Sequence, residues 1–430
     1  MNPYIQYMYS YPHKTAYRPL PGVFLKDYMS FLEGQGHGLY LHLPFCRTKC
    51  GYCNLFSVTG QKSGQIDRYL EAVERQSRQY QELLRPRQTT FSDLVIGGGT
   101  PLLLTDKQLE HMFCMLKELF VLETGAQIVT ETSPNETTRE KLEVLRQAGV
   151  TRISMGVQSF IEEELCTLRR RHSPGQARKS LALIKEHGFP CVNVDFIYGI
   201  PGQTVESLLA SLKEALTFEP EELFLYPLYI KHGAGLAGEG VVPDPESALL
   251  QYREASAYLR ASGFRQDSMR RFVKSSRPRT YTECGFGTSL ALGCGGRSYL
   301  GNLHFCSPYA ITREGCLTQL HAFLQTRDYT KITHGIFLNQ EEEKRRMVIR
   351  HLLIYPGLSI SGYEGRFGSR AREDFPVLKE WEDMGFVTLE DGYLALTKSG
   401  LALSDWLGSA LMSEAVRDKM KEWEQMYERA

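Results

Sequence analysis

From Gly38 to about Tyr229, short apolar runs alternate with longer stretches whose apolar residues recur at helical spacing. The runs Leu39–Leu43, Leu94–Ile96, Gln127–Glu131, Arg152–Val157, Val192–Tyr198 and Glu222–Leu228 read as strands. Between them Ile66–Leu84, Asp106–Phe120, Arg139–Ala148, Gln176–His187 and Val205–Leu216 carry the apolar stripe of amphipathic helices. Strands separated by helices make parallel βα units, and right-handed crossovers curl them into a partial or full barrel. The expected fold class is therefore α/β, with chemistry gathered at the C-terminal strand ends.

After about Lys231 the pattern changes. His232–Gly240 reads as loop, Pro245–Ser262 as helix and Gly285–Gly301 as a glycine-rich connection. Further on come a helix at Glu342–Leu353, a loop at Tyr355–Ser359, helices across Gly362–Met384 and a hairpin over Phe386–Leu396 that turns at Glu390-Asp391-Gly392. Helices followed by a short hairpin suggest a small winged-helix-like domain. Its wing has no basic cluster, so it reads as a packing module and nucleic acid is not an expected partner. Ser413–Ala430 reads as a charged helix with a solvated face. The expected organisation is an arm (1–37), a barrel core (38–232), an α/β extension closing the active site (233–335), the winged-helix-like domain (336–412) and a polar helical tail (413–430).

The strand ends carry the candidate chemistry. Cys46-x3-Cys50-x2-Cys53 follows the first strand. Three thiolates on one loop can each hold one iron of a [4Fe–4S] cubane, leaving the fourth iron open. The spacing is too tight for a two-plus-two zinc knuckle; unpaired or disulfide-linked loop cysteines are the plain alternative. Gly97-Gly98-Gly99-Thr100-Pro101 ends the next strand, where glycines let backbone approach a ligand; it lacks the lysine and spacing of a phosphate-binding P-loop. Glu131 and Gln158 end two further strands, as ligand groups or as solvent boundaries. Asp195 interrupts an apolar strand, so its carboxylate needs a cationic or hydroxylic partner; ribose hydroxyls or a structural arginine would serve. Arg169-Arg170-Arg171-His172 reads as a surface patch or as the source of a guanidinium that clamps a carboxylate.

Composition narrows the class. With 50 basic and 50 acidic side chains in 430 residues, global charge points to neither nucleic acid nor an anionic membrane. No run of about 18 apolar residues predicts a membrane span, and the N-terminus has no apolar stretch of signal-peptide length. Ten cysteines, three of them at cluster spacing, fit a reducing cytoplasm better than a disulfide scaffold. Cys284, Cys294, Cys306 and Cys316 recur at intervals of 10, 12 and 10, which admits an auxiliary cluster, although such loops usually contain tighter pairs.

In combination, Tyr40-Leu-His-Leu-Pro-Phe-Cys46, Tyr52-Cys53, Gly97–Pro101, Glu131-Thr-Ser-Pro-Asn135, Ser154–Phe160, Arg170-x-His172 and Asp195–Gln203 resemble the oxygen-independent coproporphyrinogen III oxidase-like family of radical S-adenosylmethionine (SAM) proteins, which also includes heme chaperones. The resemblance covers nearly the whole chain. It implies a radical SAM partial (β/α) barrel and a [4Fe–4S] cluster on Cys46, Cys50 and Cys53. It further implies SAM contacts at Tyr40, Tyr52, Gly98, Gly99, Thr100, Glu131, Gln158, Arg170 and Asp195. SAM would bind the open iron and be cleaved reductively to a 5′-deoxyadenosyl radical. The implied partners are a small-molecule substrate, porphyrinoid or heme, and a reduced flavodoxin or ferredoxin-type electron donor.

Departures from the oxidase pattern bear on the substrate. Leu55 stands where the oxidases carry a fourth cysteine, which the heme chaperones also lack, and Arg297 replaces an apolar residue in the segment Leu292–Gly301. The arm nevertheless keeps an oxidase-like Tyr9-Ser10-Tyr11-Pro12. These features disfavour oxidation of coproporphyrinogen itself, and leave a related tailoring reaction or, as the alternative, a heme chaperone. In the arm, His13, Lys14 and Arg18 beside Tyr4, Tyr7, Tyr9 and Tyr11 suit a flat carboxylate-bearing ligand, or else an arm that packs through its tyrosines and leaves the cations in water.

Overall fold

The computed structural model describes residues 3–5, 8, 10–231, 233–277 and 286–428; Tyr7, Tyr9, His232, Cys284 and Gly285 of the sequence reading lie outside them. One sheet of 13 strands organises the chain. It contains β1 (Arg18–Phe24), β2 (His37–Leu43), β3 (Phe91–Gly98), β4 (Leu122–Thr132), β5 (Arg152–Gln158), β6 (Cys191–Tyr198) and β7 (Glu222–Pro227). Then follow β8 (Phe264–Gln266), β9 (Arg271–Lys274), β10 (Ser289–Leu292), β11 (Arg297–Leu300), β12 (Leu303–Cys306) and β13 (Lys331–Phe337). In space the order is β1-β13-β12-β11-β10-β2-β3-β4-β5-β6-β7-β9-β8.

The six predicted strands are the parallel ladder β2–β7, and the helices between them are α1 (Ser63–Leu84), α2 (Asp106–Leu119), α3 (Arg139–Gln147), α4 (Pro174–Glu186) and α5 (Val205–Leu216). Local chemistry starts them where the pattern does. Thr105 and Gln108 form a reciprocal capping box on α2, and Ser173 caps α4 ahead of Pro174. The fold is thus an open α/β barrel. Strand alternation sends Leu39, Leu41 and Leu43 into the helical layer, each at most 1% exposed. Gly38, Tyr40 and His42 take the opposite, inner face. The register Tyr40↔Val95, Val95↔Val129, Glu131↔Ser154 and Gly156↔Asp195 puts Glu131, Ser154 and Asp195 on that face too.

Within the glycine-rich stretch lie β10 and β11. β10 pairs parallel with β2, and β11, β12, β13 and β1 continue antiparallel. The glycines serve the turn: a side chain at Gly293 (φ +82°) would meet the His42 carbonyl oxygen at 2.6 Å. Beyond lie α6 (Pro245–Ala261), α7 (Arg313–Gln325), α8 (Gln340–Leu352) and a small sheet of β14 (Leu358–Ser359), β15 (Val387–Glu390) and β16 (Tyr393–Leu396) in the order β14-β16-β15. The predicted wing turn is present, with Asp391 and Gly392 both at positive φ, as a tight hairpin requires.

Two apolar cores result. One fills the space between the barrel sheet and its helices. The other joins Met8, Tyr11, Ala16 and Tyr17 of the N-terminal segment to Val348, Ile349 and Leu352 of α8, Trp381 and Leu407. The final helix, α9 (Glu414–Glu428), corrects its reading as a solvated face: Val416 and Met420 are 2% and 8% exposed in this second core. Neither expectation for the arm cations is met in full. Arg18 bonds to the Lys419 carbonyl and Glu422 of α9, His13 is buried, and the Lys14 ammonium lies 3.9 Å from the Tyr309 ring centroid. Cys294 and Cys316 are buried in the first core and Cys306 in the second, as small apolar side chains. No helix among the described residues is long and apolar enough to cross a membrane.

Candidate active site

The cysteine loop leaves β2 at Pro44 and is fastened from several sides. Gly99 N–H donates to the Leu43 carbonyl and Thr100 N–H to that of Phe45, each at 2.8 Å. Gly51 is tied to Leu168 and Leu236, Tyr309 Oη donates to the Asn54 carbonyl at 2.6 Å, and His42 Nε2 meets the Phe56 carbonyl at 3.0 Å. Only glycine fits at 99, where a Cβ would stand 2.4 Å from Phe45 O and 2.9 Å from Cys46 Sγ. The glycine strand end is therefore pressed against the first cysteine.

Cys46, Cys50 and Cys53 are free and half-buried. Burial pushes the Cys46 thiol up to about 12, reinforced by Cys53 and Cys50, and burial with Cys50 raises Cys53. A metal centre would reverse this, since a coordinating thiol is deprotonated outright. Among the described residues no three His, Cys, Asp or Glu side chains converge on a single ion. In a cluster each thiolate would take a different iron. Arg170 Nη1 donates to Cys50 Sγ at 3.2 Å and Nη2 to the Gly156 carbonyl, while its buried Nε has no hydrogen-bond partner.

The other strand ends close around this loop. Glu131 accepts from Gly98 N–H at 3.3 Å. Its side chain is accessible from the open interior of the barrel, yet protein surrounds it closely; desolvation, then Asp195, pushes its carboxyl up to about 7. Asp195 accepts from Asn193 Nδ2 at 2.7 Å and from Ser154 Oγ at 3.3 Å, and burial pushes it up to about 6. It forms no ion pair among the described residues, although Arg152 and Arg170 both act on its carboxyl through space. Asn193 Oδ1 is buried without a partner. Gln158 sits at φ +71° where the β5–β6 register slips, and Gly156 leaves the room its amide occupies. Tyr40 Oη meets His42 Nδ1 at 3.1 Å. Tyr52 lies within electrostatic reach of Cys50, Arg170, Cys53 and Asp195, and burial raises its hydroxyl pKa.

All twelve residues singled out in the sequence thus meet at one mouth of the barrel. Three more were missed. His42 braces both Tyr40 and the cysteine loop, and Ser154 and Asn193 hold Asp195. Asn193 could have been found, because it breaks the same apolar strand two positions before Asp195 and so shares its face. The opposite end of the barrel differs. There Arg152 (Nε, 2.8 Å) and Arg271 (Nη2, 2.7 Å) both donate to Glu222.

Comparison with known proteins agrees with this geometry. The sequence matches the Radical SAM superfamily over residues 40–215 and the HemN C-terminal domain over 338–403. The heme chaperone HemW of Mycobacterium tuberculosis is 37% identical over 242 residues, covering 54% of this chain and 61% of that relative's length. The oxygen-independent coproporphyrinogen III oxidase of Escherichia coli is 27% identical over 93% of this chain and 92% of its own. The crystal structure of the Escherichia coli enzyme HemN, described as a radical SAM coproporphyrinogen III oxidase, superposes with a TM-score of 0.81 at 25% identity, covering 94% of this chain and 96% of that one. Fold and site define a radical SAM protein. Within that class the chain is HemN/HemW-like.

Proposed function

We propose that the protein is a radical SAM enzyme in which Cys46, Cys50 and Cys53 hold a [4Fe–4S] cluster, while Tyr40, Tyr52, Gly98, Gly99, Thr100, Glu131, Gln158, Arg170 and Asp195 seat SAM. A cluster held there would supply the electron for reductive cleavage of bound SAM. The chain's own task is to bind, orient and exclude water. Arg170, whose buried Nε lacks a partner beside Cys50, carries the reading: it is a preplaced donor for the SAM carboxylate. Asp195 and Asn193 Oδ1 are acceptors suited to ribose hydroxyls, and the glycines at 98 and 99 let SAM's amino group approach the backbone. A reduced flavodoxin or ferredoxin-type donor in the cytoplasm would feed the site, and the substrate would be a small organic molecule of porphyrinoid or heme-like shape.

Anaerobic reconstitution with iron, sulfide and SAM tests this. Reduced protein is expected to release 5′-deoxyadenosine and methionine, and Cys46→Ala/Cys50→Ala/Cys53→Ala to lose both the visible cluster absorption and SAM cleavage. A full cluster in the triple variant would falsify the ligand assignment. Coproporphyrinogen decarboxylation, assayed on the same samples, is expected to be absent. A second reading, heme delivery, is favoured by Leu55 in place of a fourth cysteine and by the match to the mycobacterial chaperone. Stoichiometric heme binding without coupled 5′-deoxyadenosine formation would select it.

A further inference from the structure

The loop that carries the three cysteines is also a surface of one sign. Residues 44–66 hold Arg47, Lys49 and Lys62 and no acidic side chain. Residues 165–184 hold Arg169, Arg170, Arg171, Arg178 and Lys179, and again no acid. The fold lays the second segment against the first: Gly51 N–H donates to the Leu168 carbonyl, Arg169 packs over Gly51 and Arg170 reaches Cys50. Arg47, Leu55, Arg169 and Arg171 are exposed, Leu55 at 45%. Lys49 is half-buried; its Nζ donates to the Ile311 carbonyl at 2.6 Å and its charge acts on Cys53. Leu55 follows Cys53 by two residues and Arg47 follows Cys46 directly. Two residues of extended chain span at most about 7 Å, so the outer side of the cysteine triad is one loop thick.

Acids reach this face from elsewhere and leave it positive. Glu136, itself buried, accepts from Arg47 Nε at 2.6 Å and Nη2 at 2.9 Å, and Glu239 pairs with Arg169. Glu162 and Glu163 are exposed at the start of the six-residue helix Glu162–Thr167. That is about 9 Å of helical rise away from Leu168, which touches Gly51. Among the described residues Lys49 and Arg171 form no ion pair. In the reading proposed above, SAM takes the inner side, where Gly98, Glu131 and Asp195 lie, so an electron has to enter from the outer side. A thin positive face with an exposed apolar side chain matches a small redox protein whose acidic rim surrounds its cofactor. Complementary charge of this kind steers short-lived encounters.

We propose that the outer face of the cysteine loop, through Arg47, Lys49, Leu55, Arg169 and Arg171, docks a small acidic electron-transfer protein. The proposal rests on the radical SAM reading for the electron's destination: the donor's reduced flavin gives up one electron, and the cluster accepts it. Reduced flavodoxin is the probe, and photoreduced deazariboflavin, which carries no net charge, is the control. Cluster reduction by flavodoxin, followed as stopped-flow bleaching of the visible absorption, is expected to slow at least about tenfold between about 50 and about 300 mM salt. Lys49→Glu/Arg171→Glu is expected to slow it at least about tenfold at the lower salt, and Arg171→Glu alone about threefold, with reduction by deazariboflavin complete in both. Salt-independent reduction by flavodoxin, or an undiminished rate in the double variant, overturns the assignment. If the double variant takes up no cluster, Arg171→Glu and Leu55→Asp decide by the same readout, since both side chains are exposed. Flavodoxin binding is measured on the same proteins by calorimetry, which needs neither cluster nor turnover, and is expected to weaken in the variants. Protein that takes up no cluster yet binds flavodoxin in this variant-dependent way would defeat the radical SAM reading and leave the docking face standing. Tighter binding of a short DNA duplex than of flavodoxin, lost in the same variants, would give the face to nucleic acid and overturn the proposal.

Discussion

The two ends of the barrel are made from the same strands and treat buried charge in opposite ways. At the N-terminal end, Arg152 and Arg271 enclose Glu222 and hold its carboxyl down at about 2 against the cost of burial. At the C-terminal end, desolvation by the surrounding protein drives Glu131 and Asp195 upward, and Arg170 Nε and Asn193 Oδ1 find no partner. The Glu222 ion pairs are made within the protein itself, although Arg271 Nη1 beside them is also buried without a hydrogen-bond partner. Unsatisfied groups around a cysteine loop cost stability in the protein alone and are repaid only by ligands. What distinguishes the mouth is that its unsatisfied groups surround the cysteine loop.

The contrast can be broken most severely at the floor. Glu222→Ala leaves the buried Arg271 and the half-buried Arg152 without their carboxylate and is expected to cost about 3–5 kcal/mol, read from urea unfolding of the apoprotein. A loss below about 1 kcal/mol would mean that the network is solvated in practice. At the mouth the cost moves to ligand binding. Asp195→Ala and Arg170→Ala are expected to weaken SAM binding by about 1.5–3 kcal/mol, roughly 10- to 150-fold, with the cluster retained. Unchanged dialysis affinity in both would return these residues to a purely structural role. Away from both ends, Met420→Ala is expected to destabilise by about 2 kcal/mol through cavity formation in the second core. Unaltered stability there would restore a solvated tail.

The smallest effect sharpens the comparison through pH. A raised carboxyl pKa means that the folded protein binds more protons than the unfolded chain, so stability falls as pH rises from about 4.5 to about 7. Glu131→Gln is therefore expected to raise the apoprotein Tm at pH 8, with the gain vanishing by pH 4. Glu222 has the opposite sign: its contribution is complete above about 4.5 and is lost as pH falls toward 2. A Glu131→Gln gain that persists at pH 4 would show that burial of the charge is not its cause.

The parallel ladder was legible because each strand announces itself over six to eleven residues, and because the intervening helices carry caps and stripes within their own lengths. The cysteine loop was legible for the same reason. The region from Phe264 to Phe337 was not. Its strands are mostly three or four residues long, two are separated by a glycine turn, and their pairing depends on β2, which lies some 250 positions earlier. The tail's apolar positions, Val416 and Met420, are outnumbered by charges, and only the arm packed beside them shows that they are covered.

What the sequence by itself determined is local: the periodicities that make strands and helices, the three-cysteine spacing, the glycines before Thr100 and the carboxylates at strand ends. Only the tertiary structure decided the partnerships. Arg170 meets Cys50 across 120 positions and Arg297 meets Ser10 across 287. The physical reason is that spacing along a loop or strand is set by backbone geometry within a few residues, whereas the neighbours of a buried charge are set by how whole elements pack. Several arrangements of the same short segments satisfy the local rules, and the register of the sheet selects among them.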